Sequence, residues 1–199
     1  AESEQMYKAA LEIRKRLAES NPQAYEPDLA NNYYVLGILY KDTQRYAESV
    51  QMFKAALEIR KRLAEPNPQA YEPDLADNYQ ALAILYIYTQ RHAESEQMFK
   101  AALDIRKRLA ESNPQAYEPY LASIYYSLAN LYSDTQRYAE SVQMFKAALE
   151  ILKRLAESNP LAYEPDLASI YYSLANLYSD TQRYAESELM YKAALEIRK

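Results

Sequence analysis

Apolar and polar positions alternate along this chain with the periodicity of helices, and the whole pattern then returns every 46 residues. The tripeptide Ala-Glu-Ser starts at Ala1, Ala47, Ala93, Ala139 and Ala185 with no insertion or deletion between copies. The copies opening at Ala93 and Ala139 differ only at Glu96/Val142, Asp104/Glu150, Arg106/Leu152, Gln115/Leu161 and Tyr120/Asp166. Units this alike need nearly the same surroundings, which a stacked array supplies.

Each period holds two predicted helices. One, helix B, runs from about Glu48 to Glu65, with Met52, Phe53, Ala56, Leu57, Ile59 and Leu63 at spacings that make one buried face. Its outer side offers Glu58 and Arg62 as an i,i+4 pair. Pro66 and Pro68 around Asn67 read as its stop. The other, helix A, is expected to start near Glu26-Pro27-Asp28, where proline and an acidic first turn suit a helix start. It continues through Leu29, Tyr33, Leu36 and Tyr40 and breaks at Asp42-Thr43-Gln44-Arg45. The order is therefore one B, then four A–B pairs, the last B shortened. As a single repeat domain over 1–199, this gives a half-repeat at 1–22 and repeats at about 23–68, 69–114, 115–160 and 161–199.

The residues in phase resemble a known family. Tyr33, Leu36, Gly37 and Tyr40, then Tyr46, Ser49, Phe53 and Ala56, look like the tetratricopeptide repeat signature. It recurs through Tyr79 to Ala102, Tyr125 to Ala148 and Tyr171 to Ala194. The resemblance implies an all-α, right-handed α-solenoid of stacked antiparallel helix pairs. The usual repeat is about 34 residues; the longer helix B and loop here look most like kinesin-light-chain-type repeats. Small residues Gly37, Ala83, Ala129 and Ala175 on helix A should meet Ser49, Ala56 and their equivalents on helix B, letting the axes approach. With no helix A before the first B, Tyr7, Ala10 and Leu11 are expected to be partly exposed.

Composition narrows the function. A single glycine argues against hairpin-rich folds, and the chain has no cysteine and one histidine, His92, which stands where other copies have tyrosine. No nucleophile–base pair, Gly-rich phosphate loop or metal set is readable, so neither catalysis nor a cofactor is expected. Net charge is -5, which disfavours nucleic acid, and no apolar run approaches a membrane span of about 20 residues. The Arg14-Lys15-Arg16, Arg60-Lys61-Arg62 and Arg106-Lys107-Arg108 runs, replaced by Ile151-Leu152-Lys153-Arg154, read as helix-surface ion-pairing groups.

The copies disagree with one another mainly on helix A, along one stripe at i, i+3, i+7 and i+10. It runs Asn31, Tyr34, Ile38, Lys41 in the first repeat and Asp77, Gln80, Ile84, Ile87 in the second. Ser123, Tyr126, Asn130, Ser133 and Ser169, Tyr172, Asn176, Ser179 follow. In the resembled family this stripe lines a concave groove where peptides lie. Rigid amphipathic rings and amides suit an extended peptide. The expected partner-binding residues are Tyr34, Ile38, Gln80, Ile84, Ile87, Tyr88, Tyr126, Asn130, Tyr172 and Asn176, with Ile84, Ile87 and Tyr88 as a more apolar seat. The lysine–asparagine clamp that family members use on acidic C-termini is absent at Tyr34 and Ile38, and only Asn130 and Asn176 fit a family-type amide contact. The partner expected is a protein or extended peptide. The alternative is a structural or self-associating solenoid, a stretch of a longer array or a consensus-like design, with weak self-association through uncapped ends.

Overall fold

The computed structural model describes residues 2–197. Its described residues form α1 (Glu2–Ser20), α2 (Pro22–Asp42), α3 (Tyr46–Ala64), α4 (Pro68–Tyr88), α5 (His92–Ser112), α6 (Pro114–Asp134), α7 (Tyr138–Ser158), α8 (Pro160–Asp180) and α9 (Tyr184–Ile197). The fold is an all-α helical solenoid in which even-numbered helices are A and odd-numbered ones B. Two compact units, 1–105 and 106–199, divide within α5.

Helix A starts about five residues before the expected Glu26-Pro27-Asp28. Asn21, Asn67, Asn113 and Asn159 are its N-caps, each side chain accepting the backbone N–H three residues on at 3.3 Å. The next residue is proline, whose missing N–H costs nothing at the first helical position. Pro68 is thus a start and not a stop, and Pro27, Pro73, Pro119 and Pro165 lie inside the helices. Asn159 caps both ends of the junction, as C-cap of α7 and N-cap of α8. Helix α3 ends at Ala64, two residues before the point equivalent to Ser112 and Ser158, because Pro66 stands there.

The A-to-B turn is also built without glycine. Gln44, Gln90, Gln136 and Gln182 hold φ between 58° and 60°, the left-handed region. In the first copy Arg45 N–H reaches the Tyr40 carbonyl at 2.8 Å and Gln44 N–H reaches Lys41 at 2.9 Å, which is the Schellman pattern. The arginine after each glutamine then lies over the buried tyrosine, with Arg45 4.2 Å from the Tyr40 ring centre and Arg91 4.3 Å from Tyr86. Its guanidinium bonds Glu48 or Glu94 in the first turn of helix B.

Within unit 1, α2 packs on α3 through Gly37 and Ser49, whose hydroxyl donates to the Gly37 carbonyl at 2.7 Å. The same bond joins Ser95 to Ala83 at 2.9 Å. In unit 2 it joins Ser141 to Ala129 and Ser187 to Ala175, at 2.7 and 2.8 Å. Small residues bring the axes close, and the buried hydroxyl finds a carbonyl across the contact. Phe53, Phe99 and Phe145 fill the space beside them, fully buried. At Gly37 an added Cβ would lie 2.7 Å from the Phe53 ring, so here the ring has moved in over the glycine.

Three expectations about side chains are corrected. Leu11 is buried, in a cluster with Leu29, Ala30 and Leu36 of α2 and Ile59 of α3, while Tyr7 is exposed and Ala10 half-buried as expected. Arg62 pairs not with Glu58 but with Glu26 on the preceding helix A, and Lys61 takes Glu58 at 3.4 Å. Arg60 and Arg106 are buried rather than surface groups. The second arginine of each run, Arg62 or Arg108, on the other side of the helix, is exposed.

Candidate functional site

The stripe on helix A stands half-exposed because its inner neighbours Leu36, Leu82, Leu128 and Leu174 are held in the core. In unit 1, Tyr34 and Ile38 of α2 face Gln80 and Ile84 of α4 across a cleft of about 210 Å³, with Lys41 and Asp77 at its rim. The Tyr34 ring is fixed by Phe53, 5.3 Å away and tilted at 57°. Ile87 is half-buried and lies outside this lining. Tyr88 sits at the end of α4, where its ring stacks on Tyr46 at 5.8 Å and 3°, away from the cleft. The apolar seat expected from Ile84, Ile87 and Tyr88 is therefore not one surface: Ile84 belongs to the cleft and Tyr88 to the turn.

In unit 2, Tyr126 of α6 and Ser169 and Ile170 of α8 line a second cleft, of about 250 Å³, floored by Leu152 of α7. The Tyr126 ring meets Phe145 edge-on at 5.8 Å, and its hydroxyl lies 3.4 Å from Ser173 Oγ. Asn130 is one turn further along, half-buried and outside the lining. Tyr172 is half-exposed, its ring against Tyr191 of α9 at 5.6 Å. Tyr191 also donates to Asn176 Oδ1 at 2.5 Å, so one acceptor of that amide is engaged within the fold.

The floor of the unit 1 cleft is not among the residues expected from the sequence. Arg60, 4% exposed, reaches from α3 into the gap between α2 and α4. It donates to Asn31 Oδ1 at 2.9 Å, to the Asp74 carbonyl at 3.0 Å and to Asn78 Oδ1 at 3.4 Å, and its guanidinium carbon is 4.5 Å from the Tyr34 ring centre. Burial lowers its pKa from the ordinary arginine value, while Asp74, Tyr34 and Asp77 act to raise it. Asn78, also buried, donates in turn to the Phe53 carbonyl at 2.9 Å. Arg106 lies 4.6 Å from the Tyr120 ring centre. The available signal was variation between copies at two positions in register: Asn32 and Asn78 become Ile124 and Ile170, and Arg14, Arg60 and Arg106 give way one copy later to Leu152.

These clefts offer rings, hydroxyls, amides and a few carboxylates, the groups of recognition. The one histidine, His92, is half-buried, and its Nδ1 is enclosed without a hydrogen-bond partner. Among the described residues no cluster of three or more histidine, cysteine or acidic side chains could hold a metal ion. No described helix is long and apolar enough to cross a membrane.

The family profile described as "Tetratricopeptide repeat" matches residues 28–108, 74–154 and 120–199. No curated protein matches the sequence. Among solved structures, BtubC (BKLC) from P. vanneervenii is similar, with a TM-score of 0.72 at 23% identity, over 98% of this chain and 72% of that one. The apo form of RapI gives a TM-score of 0.74 at 19% identity, over 97% of this chain and 49% of the other. A candidate kinesin light chain of Podosopora anserina with nearly identical TPR-like repeats gives 0.69 at 15% identity, over 96% and 87%. The structures share the fold, the profile covers most of the sequence, and the chain belongs to the tetratricopeptide repeat family, in a 46-residue form resembling kinesin-light-chain-type repeats.

Proposed function

We propose that this chain is a protein- or peptide-binding scaffold that presents the outer stripe of its A helices to an extended polypeptide. The observation that carries this is the pair of clefts between neighbouring A helices, each walled by a half-exposed tyrosine locked against a helix-B ring, Tyr34 on Phe53 and Tyr126 on Phe145. A ring fixed before binding loses little freedom on contact, which is how tyrosine-rich recognition surfaces work. Within this reading Tyr34, Ile38, Gln80, Ile84 and Tyr126 form cleft walls, while Asn130, Tyr172 and Asn176 extend the stripe beside them. Ile87 and Tyr88 are peripheral. No catalytic role, cofactor, nucleic-acid ligand or membrane contact is proposed.

Capture from a diverse peptide library tests the reading. Peptides of a common pattern should be retained by the wild type and lost by a Tyr126→Ala, Asn130→Ala, Tyr172→Ala, Asn176→Ala variant of equal helicity. Absence of any retained pattern would remove the proposal.

A second reading, weak self-association, is favoured by the large apolar side chains that α1 and α9 leave in solvent. Met6 is 70%, Leu189 60% and Leu195 58% exposed. Light scattering that rises with concentration supports it; an ideal monomer at all concentrations excludes it.

A further inference from the structure

We propose that the cleft over Leu152 is a subsite for an arginine side chain of the bound polypeptide. This rests on the binding-surface reading above and assigns a ligand chemistry to one part of it.

Positions 92 residues apart are equivalent, so Arg60 corresponds to Leu152. The groups that hold the Arg60 guanidinium are Asn31, Tyr34, Asp74 and Asn78. Their equivalents, Ser123, Tyr126, Asp166 and Ile170, all line the unit 2 cleft. In unit 1 a guanidinium occupies that place. In unit 2 leucine supplies only the aliphatic stem, and the volume beyond it opens as the 250 Å³ cleft.

The cleft walls retain the chemistry of the original holder. Tyr126 keeps the ring face, and its orientation against Phe145 matches that of Tyr34 against Phe53. Asp166 keeps both the carbonyl and the carboxylate of Asp74. The Ser169 hydroxyl donates to the Pro165 carbonyl at 2.9 Å, which leaves its lone pairs to accept. Among the described residues neither lysine nor arginine lines the cleft. Buried Ile170 replaces the Asn78 amide with an apolar wall suited to a side-chain stem. A planar guanidinium can lie on the ring while its N–H groups fork toward Asp166 and the serines; an ammonium cannot do both.

The test uses the full chain and N-acetyl-arginine-N-methylamide as probe, followed by NMR at the backbone amides of Ser123 and Ser169. Saturable shifts are expected there and not at Asn31 or Asp77, whose subsite Arg60 fills. The neutral citrulline counterpart should bind at least about tenfold more weakly. Leu152→Arg with Ile170→Asn, which rebuilds the Arg60–Asn78 pair, should abolish the response. Tyr126→Leu should abolish it too and serves if the double variant does not fold. Shifts of equal size with citrulline, equal shifts at Asn31, or persistence in the variants would overturn the proposal. Free methylguanidinium shifting the amides while the arginine derivative does not would also overturn it, since the site would then admit only a small cation. Library peptides bound without any need for arginine would overturn it and leave the scaffold reading standing. A saturable arginine response with no captured peptide would do the reverse.

Discussion

The guanidinium carbon of Arg60 lies 4.5 Å from the centre of the Tyr34 ring, so a buried cation braces the aromatic wall of the unit 1 cleft from beneath. A side chain of the core thereby packs against one of the surface. In unit 2 the positions of Arg60 and Asn78 are taken by Leu152 and Ile170, both buried. One backbone geometry therefore accommodates either filling.

That equivalence makes a double-mutant cycle informative. Arg60→Leu alone should cost about 2 kcal/mol because it leaves buried polar groups without their partner, and Asn78→Ile alone less, since the next copy buries Arg106 with Ile124 at the equivalent position. The double variant reproduces Leu152 and Ile170 and should return to within about 1 kcal/mol of wild type. Urea unfolding of the four proteins measures this, and additive losses would show that the pair is not a unit.

The left-handed glutamines should be improvable. A non-glycine residue at φ near 60° costs about 1–2 kcal/mol, part of which glycine recovers. Gln136→Gly, at φ 59°, should therefore raise stability by about 1 kcal/mol, read as a higher melting temperature. A loss would mean that the Gln136 side chain supplies more than the turn geometry demands.

The asparagine caps should each matter on their own. Asn113→Ala removes the acceptor for the Ala116 N–H and should cost about 1 kcal/mol, while Asn113→Asp should be nearly neutral because aspartate caps as well. Denaturation midpoints of the two variants distinguish capping from a simple loss of bulk.

Acid should loosen α1 first. Glu4 accepts from Arg45 at 2.9 Å and from Lys8 at 2.8 Å, and these partners, Lys8 foremost, hold its pKa down to about 2 from the usual 4.5. A depressed carboxyl contributes stability that is complete above pH 4.5 and lost as pH falls through about 2. Hydrogen exchange of α1 amides should accelerate across that window, less so in 1 M salt and not at all in Glu4→Gln, which starts from the loosened state. Equal acceleration in Glu4→Gln would place the acid response elsewhere.

The parts of this fold that repeat were legible in the sequence. Phase, pairing of helices and the small-residue contact of Gly37 with Ser49 all follow from residues recurring at one interval. Helix starts were misread because proline gives the same signal at two places: Pro68 opens α4, while Pro73, which resembles an opening, lies a turn inside it. The deciding residue was Asn67, whose capping role depends on its own backbone conformation. Arg60 was misread because a basic run looks like a solvated face, and only the partners Asn31, Asp74 and Asn78 make burial tolerable. Of the residues expected at the site, Tyr34, Ile38, Gln80 and Ile84 line the unit 1 cleft and Tyr126 lines the unit 2 cleft. The sequence could not show that Tyr88 turns to Tyr46, or that Asn176 is engaged by Tyr191, since both depend on neighbouring helices.

The most direct test of the account is the affinity of one library-derived peptide for three proteins, with folding verified in each. These are the wild type, a helix-A variant Tyr126→Ala with Asn130→Ala, and a helix-B variant Gln143→Ala with Lys146→Ala, two exposed positions on α7. The account predicts at least about tenfold weaker binding by the helix-A variant and no change in the helix-B variant. Equal binding by wild type and helix-A variant, or a loss confined to the helix-B variant, would contradict it.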